Sequence, residues 1–441
     1  MKRVFAPFIL WYLKFFAKLQ LIKIKPLIIG VGGSSGKSSV SLLISQILSQ
    51  KFSVLQSKEK NSETGIPLNI LDINIDDYSW FSWIKVVLLT PWRLLTNFKK
   101  YDIYVVEMGI DSPFPPKNMS YLLGIVKPQI GILTSIDLEH SQYFEFLAKS
   151  EKDTDRKKEI IAATAKEEGL LLKSLGESDR GIINLDDPNI SNLLPLKSKT
   201  ITVSSKRKDA DFYISKINTE LDSFEVDFIF LNENYKIKIM QPLPEYFAHS
   251  FILSIAACFS CGINIKDCIT NLINNFSIPA GRFSVFKGIK DSVILDSSYN
   301  SSLESAKGAI EVVSRIARTR KVGILGDMRE LGGLSGIQHE ELARIILKNL
   351  DYAILIGPEM KKFVAPILSE GNFNYEAFDT FSGIKLTLPE RIKKGDTILV
   401  KGSQNTLFLE RAVEILLEKK IDAGKLCRRG EFWDKKRKES T

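Results

Sequence analysis

Apolar and polar positions follow two different periods along this chain. Short apolar runs bounded by glycine or polar residues occur at Pro26–Ile29, Ser53–Gln56, Asp102–Gly109, Gln129–His140 and Gly181–Asp187. They read as buried strands. Between them, Val40–Leu48, residues 146–180 and Ala248–Cys261 place apolar residues at helical spacing. Residues 199–240 alternate in short runs such as Phe224–Phe230, the pattern of an antiparallel edge sheet. After Ile278-Pro279-Ala280-Gly281-Arg282 the strand–helix alternation begins again. Strands are expected at Ser292–Asp296, Lys321–Asp327, Tyr352–Gly357 and Thr397–Ser403, with helices from Ser302, near Ile337–Leu350 and over Thr406–Lys419. The pattern predicts an α/β protein. A central domain over 26–278 carries a mostly parallel sheet plus the antiparallel edge, and a Rossmann-like α/β domain follows over 279–425.

Two stretches fit neither domain pattern. Residues 1–25 run Val4 to Leu13 almost without a break in apolarity, then continue Lys14-Phe15-Phe16-Ala17-Lys18. The uncharged run is too short to span a bilayer. Lysine interleaved with aromatics suits a helix lying in a membrane interface, and equally a helix packed on its own domain. Residues 78–95 repeat the composition, and the two stretches hold four of the five tryptophans: Trp11, Trp80, Trp83 and Trp92. Tryptophan favours the bilayer interface because its ring is apolar and its N–H wants a polar partner. Peripheral contact through 1–25 and 78–95, at the inner face of the membrane, is therefore expected of an otherwise cytoplasmic protein.

Composition changes this picture little. The 441 residues are 44% hydrophobic and 26% charged, as in ordinary globular proteins. The net charge of +9 fits an anionic substrate or surface, and no RNA- or DNA-reading motif accompanies it, so no nucleic-acid partner is expected. Cys258 and Cys261 lie in an apolar helical pattern with no second ligand pair, so they read as core rather than zinc ligands. No small-residue cleavage site follows the first apolar stretch, so no signal peptide is expected. The tail over 426–441 is basic and reads as a solvated end, or as one that meets an anionic surface.

The chemistry sits where strands end. Gly30-Val31-Gly32-Gly33-Ser34-Ser35-Gly36-Lys37-Ser38-Ser39 joins the first strand to the first helix of the central domain. Backbone N–H groups of Gly33 through Ser39, a helix N-terminus, the Lys37 ammonium and the Ser38 hydroxyl form a phosphate cradle. The strict G-x-x-x-x-G-K-[ST] pattern asks for glycine at 31, where this chain has valine. Glu107 and His140 close later strands. In a parallel sheet such ends meet in one crevice, where Ser38, Glu107 and His140 would make an oxygen and nitrogen shell for Mg²⁺.

Taken in order, these pieces resemble the Mur ligase family over roughly residues 27–420. Beside the loop, Asn61-Ser62-Glu63-Thr64-Gly65-Ile66-Pro67-Leu68 resembles the family's N-N-E-x-G-x-P-L, and Glu107-Met108-Gly109 its E-M-G. Asn184-x-Asp186-Asp187, His249, Gly281-Arg282, Asp296-Ser297-Ser298-Tyr299-Asn300, Leu325-Gly326-Asp327-Met328-x-Glu330-Leu331-Gly332, His339 and Lys401-Gly402-Ser403 fall on further family positions. The resemblance implies an ATP- and Mg²⁺-dependent amide ligase of peptidoglycan precursor synthesis. It would join D-alanyl-D-alanine to a muramoyl-tripeptide carboxylate through an acyl phosphate, releasing ADP and phosphate. It gives Lys37 the β- and γ-phosphates, and Ser38, Glu107 and His140 the metal. Arg282, Asp296, Tyr299 and Asn300 would contact the nucleotide across the cleft, and Asn61, Glu63 and Lys401 the substrates.

The chain departs from the family in four places. The family's N-terminal uridine-nucleotide-binding domain has no counterpart among the 25 residues before the first strand. The family's carbamylated lysine corresponds either to Lys157, in Lys157-Lys158-Glu159, or to Glu168, a ready-made carboxylate. Ser297 replaces the second aspartate of D-D-x-Y-N, and Ser302-Leu303 the N-P after it. Ser250 and Leu253 stand where the family has helix asparagines after the histidine. Two alternatives remain beside the ligase of UDP-linked precursors: a ligase or amidation subunit acting on a lipid-linked muropeptide, and a non-catalytic nucleotide-binding scaffold.

Overall fold

The computed structural model describes residues 2–439 apart from 59, 76–78, 140 and 404–406. The chain opens with α1 (Lys2–Ile24), β1 (Leu27–Gly32), α2 (Lys37–Leu48), β2 (Val54–Gln56), α3 (Gly65–Ile70) and α4 (Trp80–Thr96). It continues with β3 (Ile103–Glu107), α5 (Met119–Leu123), β4 (Ile130–Leu133), α6 (Asp153–Glu168), α7 (Leu170–Lys173), β5 (Arg180–Asn184) and α8 (Pro188–Ser191). Four strands follow, β6 (Lys199–Ser204), β7 (Phe212–Thr219), β8 (Phe224–Phe230) and β9 (Glu233–Ile239), and then α9 (Tyr246–Ser260) and α10 (Ile265–Asn275).

Among the described residues these strands form one nine-stranded sheet, ordered β2-β3-β1-β4-β5-β6-β7-β8-β9. Pairing is parallel from β2 to β7 and antiparallel only at β7-β8-β9. The antiparallel strands therefore extend the main sheet instead of standing apart as a separate layer. The central strands are continuous apolar runs because helices cover both faces. On one face α2 and α9 pack together through Val40, Ile44, Ile47, Phe251 and Ile255. Ser254 Oγ donates to the Val40 carbonyl and Cys258 lies buried beside Ile44, so these small polar residues serve helix–helix packing.

The second domain contains β10 (Ser284–Lys287), β11 (Val293–Ser297), α11 (Leu303–Ile316), β12 (Lys321–Gly326), α12 (Ser335–Asn349) and β13 (Tyr352–Ile356). After these come α13 (Ala365–Glu370), β14 (Tyr375–Phe378), α14 (Leu388–Arg391), β15 (Thr397–Lys401), α15 (Glu410–Leu416) and α16 (Glu431–Glu439). Its six-stranded sheet runs β10-β11-β15-β12-β13-β14, with only β10 antiparallel. The alternation of strand and helix made this domain predictable. The short edge strands β10 and β14 and the helix α10 were not expected from the pattern. The expected last helix begins only at Glu410, and Thr406 lies outside the described residues.

Of the two settings expected for 1–25, packing on its own domain accounts for one side of the helix: Leu13 of α1 is buried with Leu68, Leu71, Ile73 and Val86 in a small core under α3 and α4. The basic tail is not simply solvated. Leu426, Cys427, Arg428 and Arg437 are buried. Arg428 donates to Glu410 at 2.9 Å and to the carbonyls of Ser298, at 3.2 Å, and Tyr299. The tail thus ties down the loop after β11. Both Arg428 and Glu410 are withdrawn from water, so removing one leaves an uncompensated buried charge. Arg428→Ala is expected to lower unfolding free energy by about 3–5 kcal/mol, read from urea denaturation against the parent chain.

Candidate active site

The first sheet sets the site. Val31 of β1 lies opposite Glu107 of β3, and Gly32 opposite Leu133 of β4, so three strands finish at one level. The glycine loop leaves β1 there. Gly33 has φ +118°, and a β-carbon on it would lie 2.4 Å from Thr134 Oγ1, so no other residue fits without rearrangement. Gly36 has φ +85° and starts α2, whose first turn carries Lys37, Ser38 and the buried Ser39. The backbone N–H of Ser34 donates to the Ser135 carbonyl at 2.7 Å, and Thr134 Oγ1 donates to the Ser35 carbonyl at 2.5 Å. The loop is held in shape by the strand end beside it.

Lys37 is buried, and its ammonium donates to the carbonyls of Gly33 (2.5 Å) and Ser34 (2.8 Å). Ser38 Oγ lies 3.0 and 2.9 Å from the two Glu107 oxygens. Asn61 Nδ2 donates to Glu107 at 3.2 Å, and the Gly109 N–H donates to the Asn61 carbonyl. Asn61, expected on the substrate, therefore sits against the Ser38–Glu107 pair. Glu63 is half-buried near Lys117 and Tyr121, where its charge helps to raise the Lys117 pKa against burial. His140 lies outside the described residues. Among the described residues no three His, Cys, Asp or Glu side chains converge as a metal cluster. The paired hydroxyl and carboxylate of Ser38 and Glu107 are nonetheless the hard oxygen donors that Mg²⁺ takes.

Lys157 and Glu168 separate clearly. Lys157 Nζ points to Glu341 of α12 at 3.9 Å, away from the loop. Glu168, at the end of α6, is buried and accepts the Gly33 N–H at 2.9 Å. Only Glu168 is brought to the phosphate loop.

The second domain reaches across. Arg282 donates to Ser38 Oγ at 3.3 Å and lies 4.5 Å over the Tyr299 ring. Asn300 donates to Glu139 at 2.6 Å, and Lys401 donates to the Asn300 carbonyl at 2.9 Å and to Ser297 Oγ at 3.3 Å. Burial pushes the Lys401 ammonium down to about 7, although Glu139 draws it up. Asp296, in β11, is fully buried, accepts the Ser298 N–H at 3.0 Å, and burial pushes it up to about 6. Its charge draws the Lys401 ammonium up.

Some residues at the site carried no motif signal. Asp137 and Glu139 both accept from Ser35 Oγ, at 3.0 and 2.5 Å. Burial, and then the Glu139 charge, raises the Asp137 pKa. Their signal was the polar end of the fourth strand run, which the sequence reading assigned to His140 alone. The other histidines are structural. His249 pairs with Asp186 at 2.8 Å. Burial opposes ionisation of Asp186, but hydrogen bonds from His249, Ser204 and Ser205 outweigh it and hold the carboxyl well below its ordinary range. His339 is buried; its Nε2 accepts the Met328 N–H and its Nδ1 donates to the Ser335 carbonyl, so the ring is a neutral strut.

Comparison with known proteins identifies the family. The Mur ligase middle domain family model matches residues 31–258, and the Mur ligase glutamate ligase domain matches 281–404. The UDP-N-acetylmuramoyl-tripeptide--D-alanyl-D-alanine ligase of Escherichia coli is 24% identical over 398 residues, covering 89% of this chain and 77% of that protein. Its Bacillus subtilis counterpart is 24% identical over 410 residues, covering 91% and 78%. The crystal structure of MurF ligase from Thermotoga maritima in complex with ADP superposes with a TM-score of 0.71 at 22% identity, over 92% of this chain and 83% of that one. MurF from Acinetobacter baumannii gives 0.72 at 17% identity, over 91% and 78%. Those two superpositions establish a shared fold. With more than half the chain matched by the middle-domain model and most of the remainder by the second, this chain belongs to the Mur ligase family.

Proposed function

We propose that this chain is an ATP-dependent carboxylate–amine ligase that joins D-alanyl-D-alanine to a muramoyl-tripeptide. The observation that carries the reading is one junction: Ser38 of the phosphate loop contacts Glu107 from its own domain and Arg282 from the other. A site completed only where two domains meet suits a reaction with three substrates, because closure excludes water from an activated carboxylate. The names of the relatives in Escherichia coli and Bacillus subtilis support the same substrates.

In this reading the substrate carboxylate attacks the γ-phosphorus of ATP, ADP leaves, and an acyl phosphate forms. The D-alanyl-D-alanine amine then attacks the carbonyl carbon and phosphate departs, giving the amide. Little covalent work falls to the protein. Its task is to place charge and N–H groups where phosphoryl charge spreads. Lys37, now satisfied by the Gly33 and Ser34 carbonyls, is the cation within reach of an incoming phosphate. Arg282 and Lys401 add positive charge from the facing domain. Gly33, Ser34, Ser35, Gly36 and Ser39 supply the surrounding backbone, and Tyr299 the ring beside Arg282. Ser38 and Glu107 would hold Mg²⁺, with His140 added by family resemblance, and the ion would neutralise phosphate charge. Glu168 takes the place of the family's modified lysine as a carboxylate that needs no carbon dioxide.

A second acceptor is favoured by one observation. Trp11, Phe81, Leu88 and Trp92 on α1 and α4 are largely exposed, which suits work against a membrane on a lipid-linked muropeptide. ADP release with UDP-muramoyl-tripeptide and D-alanyl-D-alanine supports the first acceptor; turnover only with the lipid-linked one supports the second.

Three outcomes test the site. Lys37→Ala is expected to lower kcat by about 10²-fold or more in an ADP-release assay; unchanged turnover would leave only the scaffold reading. Glu168→Gln keeps an acceptor for Gly33 but loses the charge, and is expected to reduce kcat by roughly 10–100-fold, while the parent enzyme runs equally fast in bicarbonate-free buffer. Lys401, with a pKa near 7, is mostly neutral at pH 8. A bound phosphate raises that pKa, so nucleotide binding at pH 8 takes up protons. In Lys401→Met the uptake falls by up to about one proton, measured by calorimetry in buffers of different ionisation enthalpy.

A further inference from the structure

Helices α1 and α4 lie side by side and run in the same direction. Tyr12 Oη donates to the Val87 carbonyl, Gln20 to that of Asn97, and Lys23 to those of Leu94 and Asn97. Their inner faces are accounted for: Leu13 and Val86 pack with Leu68 and Leu71, flanked by Ile9, Phe16 and Trp83. Their outer faces are apolar as well. On α1 the exposed large apolar positions are Phe8, Trp11, Phe15 and Ile22; on α4 they are Phe81, Ile84, Leu88, Trp92 and Leu95, with Trp80 exposed at its first position. Within each helix these residues recur at spacings of three, four or seven, so each set forms one continuous stripe. Phe81 is 81% exposed, Leu88 72%, Trp92 63% and Trp11 60%. A helix apolar on both sides is not a stable surface helix in water unless something covers its second side.

We propose that the paired outer faces of α1 and α4 form a single docking surface for an anionic lipid bilayer. Charge selects this occupant. Neither helix contains an Asp or Glu. Lys18, Lys23 and Lys85 are exposed on them, with Lys25 and Lys100 exposed at their ends. Tryptophan and phenylalanine interleaved with lysines match the boundary between acyl chains and anionic headgroups. No helix among the described residues is long and apolar enough to cross a membrane, so the helices lie on the surface rather than span it. A second protein or a second copy would more readily be matched by carboxylates among the cations. The surface is also placed for use: α1 packs on α3, which begins immediately after the Asn61–Thr64 loop at Glu107. A substrate anchored in the bilayer would approach that side of the site.

This inference does not depend on the ligase reading, because vesicle binding and ADP release are separate measurements. The full chain is mixed with vesicles of phosphatidylcholine alone or in equal parts with phosphatidylglycerol, and floated through a density step. It is expected to rise with the anionic vesicles and remain below with the neutral ones. The double variant Leu88→Glu, Trp92→Glu is expected to lose about tenfold or more of the floated fraction, with an unchanged thermal melt showing that it folds. Trp11→Glu, Phe15→Glu tests the other helix in the same way. Failure of the full chain to float with anionic vesicles overturns the proposal, as does equal flotation of both well-folded variants. A dimer in solution that the same substitutions dissociate would assign the face to a second copy instead. Flotation that appears only with vesicles carrying membrane proteins would assign it to a protein partner.

Discussion

The parallel pairing of β1 with β3 and β4 is the constraint on which the site depends. Side chains alternate across a strand, so a slip of one residue would turn Glu107 to the opposite face of the sheet. The observed register places Glu107 beside Val31 and, through the glycine loop, within 3 Å of the Ser38 hydroxyl. Buried strands of Ile, Val and Tyr fix that register because each face must meet a helix already fitted to it. Everything added by the second domain, from Arg282 to Lys401, is aimed at a point these strands have already defined.

Local chemistry carried a large part of this into the sequence. Apolar runs and helical spacing located the strands of both domains, and the glycines with Lys37 and Ser38 announced an anion site before any contact was known. Glu107 was legible because a carboxylate that ends an apolar run has few structural uses. What stayed hidden depends on where helices end in space. The different surroundings of Lys157 and Glu168 depend on the course of α6, which delivers Glu168 to the Gly33 N–H and sends Lys157 towards Glu341. The motif of Asp296 says nothing of its surroundings, and only the structure shows it fully buried in β11. The tail looked solvated because its charges are dense, and nothing local showed that Glu410 waits for Arg428.

The polar groups around the loop hold one another in place. Lys37 is held by two carbonyls of its own loop, and Ser35 by two carboxylates. Each of these bonds is charge-assisted on one side, and the ammonium of Lys37 would be matched by charge on both sides against a phosphate. They satisfy buried donors, which limits the cost of desolvating the pocket. Burial of Lys401 works in the same sense, since pushing its ammonium down to about 7 lowers the charge it holds beside Arg282.

The tie between Arg428 and the loop at Ser298 and Tyr299 has a consequence for biosynthesis. The loop belongs to β11, but the group that holds it is translated after α15, when every strand of both sheets already exists. A chain that ends before Arg428 can therefore contain every strand of both sheets while the loop at Ser298 and Tyr299 lacks its clasp. The clasp on this loop is among the last parts of the polypeptide to be made, and cleavage before Arg428 would release it while both sheets keep all their strands.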